Sequence, residues 1–209
     1  LLASLGAQVG EGEGTFALNY LTRLTRPPKL AVSVKPDQIV WARAPVRLDL
    51  AGGWTDTPPY TLREGGAVTN VAVNLNGQPP IQVFCRPLPE ALVRFHSIDL
   101  GITRDYRTTA ELSDYTTPDA PFALPKAALA LLGIAGEHAV PQASLQEQLR
   151  RVGGGLELTI LSAVPQGSGL GTSSILGATI LAALQRFYGV LKHDVIASGE
   201  LYRQVLQME

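Results

Sequence analysis

Two short segments of the sequence combine residues that suit phosphate chemistry. Residues 165–174 read Pro-Gln-Gly-Ser-Gly-Leu-Gly-Thr-Ser-Ser, and residues 44–56 read Ala-Pro-Val-Arg-Leu-Asp-Leu-Ala-Gly-Gly-Trp-Thr-Asp. Glycines let backbone N–H groups approach an anion closely, so the first segment predicts a phosphate-binding loop. In the second segment, Arg47 is suited to stabilising charge on a transferring phosphoryl group and Asp56 to holding sugar hydroxyls. The alternative is that Arg47 is an ordinary exposed strand residue and that Asp56 only stabilises a turn.

The glycine loop differs from other glycine-rich motifs. A P-loop has Lys directly after its last glycine, whereas Thr172 follows Gly171 here, so the sequence excludes that motif. A dinucleotide-binding fingerprint needs G-x-G-x-x-G. The spacing here is G-x-G-x-G, and the next acidic residue that could bind a ribose is Asp194. The dinucleotide-binding motif therefore stays only as an alternative. Ser168 lies in Gly-Ser-Gly rather than in the G-x-S-x-G of hydrolases, and a glycine turn without a ligand is the other alternative.

A phosphate loop of this kind requires a strand before it and a helix after it. Residues 156–163 alternate apolar side chains as a strand does, and residues 175–187 have a helical pattern. The amino terminus of that helix would add its free N–H groups to the anion site. Upstream, five further runs are predicted to be strands: 39–44, 46–51, 67–75, 81–85 and 92–98.

Helical patterns complete the predicted elements at residues 121–132, 144–150 and 194–209. Ser144 is placed to cap the second of these helices. Strands followed by helices, with one strand–loop–helix crossover, predict an α+β fold. We expect a mixed sheet with the helices packed on one of its faces.

The amino-terminal stretch is set apart from the rest of the chain. A helical apolar pattern within residues 1–30 is ended by Pro27 and Pro28. Residues 1–36 are therefore expected to be a linker or the tail of a preceding domain, and residues 37–209 to form the main domain. Because the chain stops inside a helical pattern, we expect that domain to be incomplete at its carboxyl end.

Composition limits the kinds of partner. The 209 residues are 45% hydrophobic, enough for a substantial core, and 17 basic against 18 acidic residues give a net charge of −1. No dense basic run occurs, which argues against nucleic acid and anionic membranes as partners. No apolar run approaches the roughly 20 residues of a membrane span, so we expect a soluble, cytoplasmic protein. The lone Cys85 excludes an internal disulfide, and His96, His138 and His193 lack metal-ligand spacing.

Taken together, the two phosphate-type segments resemble a known family. Residues 45–56 and 165–174 are similar in content, order and spacing to the first two motifs of the GHMP small-molecule kinases, the superfamily of galactokinase, homoserine kinase, mevalonate kinase and phosphomevalonate kinase. Within it, residues 51–60 and 167–176 look most like the L-fucokinase group, whose bacterial members are joined to an L-fucose-1-phosphate guanylyltransferase. The resemblance extends from residue 39 to the carboxyl end.

This resemblance implies a fold, a cofactor and a metal. The fold would be the amino-terminal GHMP domain, which is of the ribosomal protein S5 domain 2-like type, and the cofactors would be ATP and Mg²⁺. Ser173 is the best candidate for the hydroxyl that binds Mg²⁺, with Thr172 and Ser174 as alternatives. The residues that the resemblance assigns to ATP are Pro165, Gly167, Ser168, Gly169, Leu170, Gly171, Thr172, Ser173 and Ser174.

The resemblance also implies roles around the sugar. Arg47 would be catalytic, beside the attacking anomeric hydroxyl, and Asp56 would bind a sugar hydroxyl, with Gly53, Trp54 and Thr55 beside it. Galactokinase has Glu and His where this chain has Gly53 and Trp54, and an apolar ring suits the methyl group of a 6-deoxy sugar. The implied reaction is ATP-dependent phosphorylation of L-fucose to fucose 1-phosphate, a salvage step towards GDP-fucose.

Some parts of the family pattern are not found in the chain. The family's catalytic Asp, its third glycine motif and the carboxyl-terminal GHMP domain are absent, so the fragment alone is expected to be inactive. A guanylyltransferase domain, if fused, is expected to precede residue 1. Two alternatives remain: a heptose 7-phosphate 1-kinase, in which Arg43 and Arg63 would hold the second phosphate, and a non-catalytic module that binds nucleotide or sugar.

Overall fold

A five-stranded sheet, a two-stranded sheet and several helices make up the part of the chain that the computed structural model describes, residues 29–117, 120–135, 143–165, 167–191 and 199–208. The strands are β1 (Val40–Ala44), β2 (Val46–Ala51), β3 (Thr69–Val73), β4 (Ile81–Leu88), β5 (Val93–Ser97), β6 (Ile102–Tyr106) and β7 (Gly155–Ser162). The helices are α1 (Tyr60–Glu64), α2 (Ala123–Leu131), α3 (Leu145–Val152), α4 (Thr172–Phe187) and α5 (Gly199–Met208), and a 3-10 turn spans Ala110–Leu112.

The five-stranded sheet has the strand order β1-β4-β7-β5-β6. Strand β7 pairs with β5 in parallel and with β4 in antiparallel register, and the other neighbouring strands are antiparallel. The sheet is therefore mixed. Because β7 is the central strand and is hydrogen-bonded along both edges, the glycine loop that follows it starts from the interior of the sheet.

One face of the sheet carries the hydrophobic core. Strand β4 alternates buried and more exposed residues, so that Ile81, Val83 and Cys85 face inward. Helix α4 covers this face by packing against β4 and β1, and α2 and α5 pack against α4. On the opposite face, the rings of Trp41 and Phe84 stack with centroids 5.7 Å apart, and Trp41 is exposed. Helices on one face of a mixed sheet confirm the predicted α+β fold class.

The two-stranded sheet of β2 and β3 docks at one end of the main sheet. Val46 of β2 pairs with Val73 of β3. Val46 also forms a small second core with Ile81 of β4 and with Val164, which follows β7, and Leu170 of the glycine loop packs against this core. The cluster explains why β2 lies beside the glycine loop although the two are far apart in sequence.

The sequence patterns do not predict two of the elements. Strand β6 lies at the edge of the sheet, and its Arg104 and Asp105 are exposed, so its apolar pattern is weak. Helix α1 has five residues, none of them buried, and therefore shows no hydrophobic periodicity. Helix α2 begins at Ala123 rather than at residue 121, because Phe122 before it adopts a left-handed backbone with φ of 60°.

The last residues of the predicted tail pack on the domain. Backbone N–H groups of Ala31, Val32 and Ser33 donate to the carbonyl oxygens of Tyr188, Val152 and Phe187, respectively. The helical pattern predicted within residues 1–30 lies almost wholly outside the described residues, and so does the start of the helix predicted at 194–209. Within the described part of the chain, no helix is both long and apolar enough to span a lipid bilayer.

Candidate active site

The glycine loop has an open, left-handed backbone at alternate positions. Gly167, Gly169 and Gly171 have φ angles of 72°, 72° and 67°, a region that side chains strain to adopt. A Cβ atom at Gly167 or Gly169 would have no atom within 4 Å. The backbone of the loop is thus uncovered in the described structure, which leaves room for a ligand to contact it directly.

Helix α4 begins directly after this loop without a side-chain cap. Its N-cap residue, Gly171, has no side chain to bind the amide groups of the first turn, and that turn contains no acidic residue. Such amides carry the positive end of the helix dipole and favour an anion. Thr172 and Ser173 add hydroxyls at this point, and the Ser173 side chain is exposed. No group of three or more His, Cys, Asp or Glu side chains in the described residues is arranged to hold a metal ion.

The structure brings Arg47 to the end of the loop. Its backbone N–H donates to the carbonyl oxygen of Leu170 at 3.2 Å. Its guanidinium pairs with Asp49: Nη2 donates to Oδ2 at 3.2 Å, and Nε lies 3.0 Å from Oδ1. A Cβ atom at Gly171 would lie only 3.7 Å from Nε of Arg47. The two sequence segments therefore form one site.

Asp49 is a site residue that the sequence analysis did not single out. Positions i and i+2 of a strand share a face, and Arg47 and Asp49 both belong to β2. The carboxylate also lies beside the next turn, because a Cβ atom at Gly53 would be 3.3 Å from Asp49 Oδ2. The spacing within β2 was the available signal, since an arginine and an acid at i and i+2 of a predicted strand are neighbours.

The buried hydroxyl of Thr172 at the start of α4 has no hydrogen-bond partner among the described residues. Buried polar groups are nearly always paired in folded proteins, and exceptions mark positions where a ligand or water completes the bonding. Arg47 Nε and Asp49 Oδ1, which are also buried, are paired with each other at 3.0 Å. An anionic ligand that accepts a hydrogen bond would satisfy the Thr172 hydroxyl.

In the turn that follows β2, one side chain is bonded within the turn and two are exposed to solvent. The hydroxyl of Thr55 lies 2.7 Å from the carbonyl oxygen of Gly52 and 3.0 Å from that of Ala67, and it accepts a bond from the Ala67 N–H. Thr55 is thus committed to closing the turn. Trp54, with φ of 73°, is 82% exposed. Asp56 is exposed too, and no hydrogen bond or ion pair engages its side chain within the described part of the chain. Trp54 and Asp56 are available to a ligand.

A cavity of about 420 Å³ opens beside the glycine loop. Its lining is mostly apolar and includes Gly167, Thr172 and Ser173 of the loop and of the first turn of α4. One wall is the segment 120–125, which leads into α2. The other lining residues come from the β5–β6 hairpin, from β7 and from α4: Ser97, Asp99, Leu100, Ile102, Ile160, Ser162 and Leu176. The sequence analysis did not predict this cavity, because its walls come from distant stretches that no motif links.

Comparisons with known proteins show similarities of sequence and of fold. Residues 125–209 match the GHMP kinases N terminal domain. The L-fucokinase/L-fucose-1-P guanylyltransferase of Bacteroides fragilis is 54% identical over 192 residues, which are 90% of this chain and 20% of that protein. The bifunctional fucokinase/GDP-fucose pyrophosphorylase of Arabidopsis thaliana is 33% identical over 154 residues, which are 71% of this chain and 14% of that protein. The chain thus spans a fifth or less of these curated relatives.

A solved structure shares the fold. A D-glycero-D-manno-heptose 1-phosphate kinase from Bacteroides thetaiotaomicron superposes with a TM-score of 0.58 at 23% identity, covering 82% of this chain and 48% of that one. At this identity the similarity concerns the fold alone. The family match covers most of α2 together with α3, β7, the glycine loop, α4 and α5, whereas β2 with Arg47 lies before it. Residues 125–209 of this chain are therefore similar to a GHMP kinase N-terminal domain.

Proposed function

We propose that this chain is part of an ATP-dependent sugar kinase that phosphorylates the anomeric hydroxyl of L-fucose and releases fucose 1-phosphate. The observation that carries the proposal is the Arg47–Asp49 pair beside the open glycine loop, where Arg47 contacts Leu170 through its backbone. A cation next to an uncovered anion-binding backbone is what phosphoryl transfer requires. The fucokinase names of two relatives, one of them 54% identical, support L-fucose as the sugar.

The loop and its helix would hold the nucleotide. N–H groups of residues 167–171 and of the first turn of α4 bind phosphate oxygens, and Thr172 Oγ1 gains a partner for its unpaired hydroxyl. The nucleoside occupies the apolar cavity, whose lining shares Gly167, Thr172 and Ser173 with the proposed phosphate site. Ser173 is the favoured ligand for Mg²⁺, with Thr172 and Ser174 as alternatives, and most of the other ligands would be phosphate oxygens and water. The metal ion, when bound, neutralises charge on the phosphates.

The turn after β2 would hold the sugar. Arg47 orients the acceptor hydroxyl and stabilises charge on the transferring group, while Asp49 keeps the guanidinium directed towards the loop. Asp56 accepts bonds from sugar hydroxyls, and the exposed ring of Trp54 contacts the methyl group of L-fucose. Gly53 leaves space beside the Asp49 carboxylate. Thr55 contributes by fixing this turn.

The proposal also covers the larger protein in which the reaction takes place. The names of both curated relatives join fucokinase to a second activity on the fucose phosphate or its nucleotide sugar. We infer that this domain is fused to a guanylyltransferase, works in the cytoplasm on a salvage route to GDP-fucose, and needs the remainder of that protein for turnover.

The decisive experiment measures ADP release by the full-length protein with L-fucose, D-galactose, D-arabinose or a heptose 7-phosphate. We expect turnover with L-fucose and a much lower kcat/KM with the others. Turnover only with the heptose phosphate would replace L-fucose by the alternative substrate. No turnover with any sugar, combined with retained nucleotide binding, would favour a non-catalytic module.

A substitution at Trp54 tests the sugar assignment separately. Trp54→Glu places a carboxylate where the ring would meet the methyl group of the sugar. We expect the ratio of kcat/KM for L-fucose to that for D-galactose to fall at least tenfold, because the galactose hydroxymethyl group tolerates a polar neighbour. Tyr60→Glu is the matched control, since Tyr60 is an exposed aromatic residue at the start of α1. An unchanged ratio in Trp54→Glu would remove Trp54 from the sugar site.

A further inference from the structure

Lys126 is a buried cation that the proposed chemistry does not use. Its side chain is 2% exposed, although it lies in the first turn and a half of α2, where the helix dipole disfavours positive charge. Lysine is almost never buried without a partner. Its backbone N–H donates to the carbonyl oxygen of Phe122, so its position along the helix is fixed.

The ammonium of Lys126 has two partners. Nζ donates to Asp114 Oδ1 at 2.6 Å, and it lies 4.8 Å from the ring centre of Tyr106. Asp114 belongs to the segment between the 3-10 turn and α2, and its side chain is 45% exposed. Tyr106 ends β6 and is buried. Its burial, and to a smaller extent the negative charge of Asp114, raises the pKa of its hydroxyl. Lys126 thus joins β6, the Asp114 segment and α2.

This junction lies behind one wall of the cavity beside the glycine loop. Residues 120–125, which end immediately before Lys126, form that wall. An aromatic chain supports the same wall, because Phe95 packs on Tyr106 with ring centroids 5.2 Å apart and on Phe122 with centroids 5.5 Å apart. The ion pair therefore links α2, which follows the wall, to Asp114, and backbone hydrogen bonds through Thr117 connect Asp114 to Ala120 at the start of the wall.

We propose that Lys126 is a positioning residue for the nucleotide. Its ion pair with Asp114 holds residues 120–125 in the shape that receives the nucleoside, and Lys126 itself does not touch the ligand. The inference rests on the proposed function, which places the nucleoside in this cavity. Loss of the pair loosens the wall, so it weakens nucleotide binding while the sugar site and the transfer step are unchanged.

The two members of the pair differ in what their loss leaves behind. Without Asp114 the ammonium stays buried and keeps only the ring of Tyr106, which is costly. Without Lys126 the carboxylate of Asp114, being nearly half exposed, is hydrated instead. Asp114→Asn is therefore expected to lower the melting temperature more than Lys126→Met does, and the double variant is expected to recover most of the loss caused by Asp114→Asn.

The test compares these variants in the full-length protein by steady-state kinetics. For Asp114→Asn and Lys126→Met we expect the KM for ATP to rise five- to tenfold, with kcat and the KM for the sugar changed less than twofold. Asp114→Glu keeps the charge at a position with room for a longer side chain, so it is expected to retain the normal KM. The control is Asp105→Asn, which breaks a bidentate pair with Arg94 on the other side of β6.

Two results would overturn the inference. One is a normal KM for ATP in both Asp114→Asn and Lys126→Met, whatever their melting temperatures. The other is an equal rise in Asp105→Asn, which would mean that KM follows general stability. Calorimetric titration with a non-hydrolysable ATP analogue gives the same comparison as dissociation constants. If the unsubstituted protein shows no turnover, these dissociation constants still test the inference. Missing turnover would then count against the proposed function alone.

Discussion

At the scale of single residues, the site depends on how Arg47 is held. The strand places Asp49 on the same side, and the loop places Leu170 against the Arg47 backbone. The guanidinium therefore lies beside the glycine loop in a defined orientation and with a neutralising partner. Arginine suits this role better than lysine because its planar fork makes two contacts at once.

Arg47→Lys is expected to lower kcat by about 10²- to 10³-fold, the range seen when one transition-state donor is lost. A lysine cannot contact both oxygens of Asp49 and still point at the loop. Steady-state kinetics of the full-length protein give the result. Arg43→Lys serves as the control, because Arg43 lies on β1 with its guanidinium 4.7 Å from the Trp41 ring, facing away from the core. Equal effects of the two changes would contradict the role of Arg47.

At the scale of elements, the glycine loop and a distant turn allow a matched comparison. Gly169 and Gly77 have φ angles of 72° and 75°, and a Cβ atom at either position would meet nothing within 4 Å. Alanine at either site should therefore cost a similar 1–2 kcal/mol, roughly the cost of a left-handed backbone. Only Gly169 faces the proposed phosphate site. We expect Gly169→Ala to raise the KM for ATP at least tenfold and Gly77→Ala to leave it unchanged. A similar KM in both variants would exclude close contact between Gly169 and phosphate.

The start of α3 gives an expectation for pH dependence. The backbone N–H and the hydroxyl of Ser144 bind the carboxylate of Glu147, and these bonds lower its pKa. A lowered pKa means that the bonds stabilise the folded state above the ordinary value of 4.5 and that this contribution disappears as the pH falls through the lowered pKa. The free energy of unfolding, measured with urea, should therefore be lower for Glu147→Gln than for the unsubstituted protein at neutral pH. The two values should converge in acid. A constant difference at all pH values would exclude titration of Glu147 as the cause.

At the scale of the whole molecule, the domain boundary is open to test. Residues 29–36 were assigned to the tail, yet Ala31, Val32 and Ser33 are hydrogen-bonded to Tyr188, Val152 and Phe187. Comparing a truncation that begins at residue 29 with one that begins at residue 37 isolates this stretch. We expect the shorter protein to melt several degrees lower, because three backbone bonds are lost at about 1 kcal/mol each. Equal melting temperatures would support the boundary at residue 37.

Sequence patterns predicted the architecture where burial is regular. Strands that face the core on one side show alternation, and α4 follows a glycine loop that marks its start, so these elements were found. Asp49 was missed because an acidic residue at an alternate position of a strand is ordinarily exposed to solvent and does not by itself mark a site. Lys126 was missed because a lysine in a helical pattern is normally exposed. The cavity depends on how β6, residues 120–125 and α4 meet, and that arrangement appears only in three dimensions.

The reactivity of Cys85, the single cysteine of the sequence, reports on opening of the fold. Cys85 is fully buried in β4, and burial raises the pKa of its thiol. Thiol reagents attack the thiolate, so labelling requires the core to open first. When reclosing is fast, the labelling rate measures the equilibrium between closed and open domain. Any molecule that binds only the closed form slows that rate. Alkylation of this one thiol, followed by mass spectrometry, would therefore rank nucleotides and sugars by affinity without an assay of turnover.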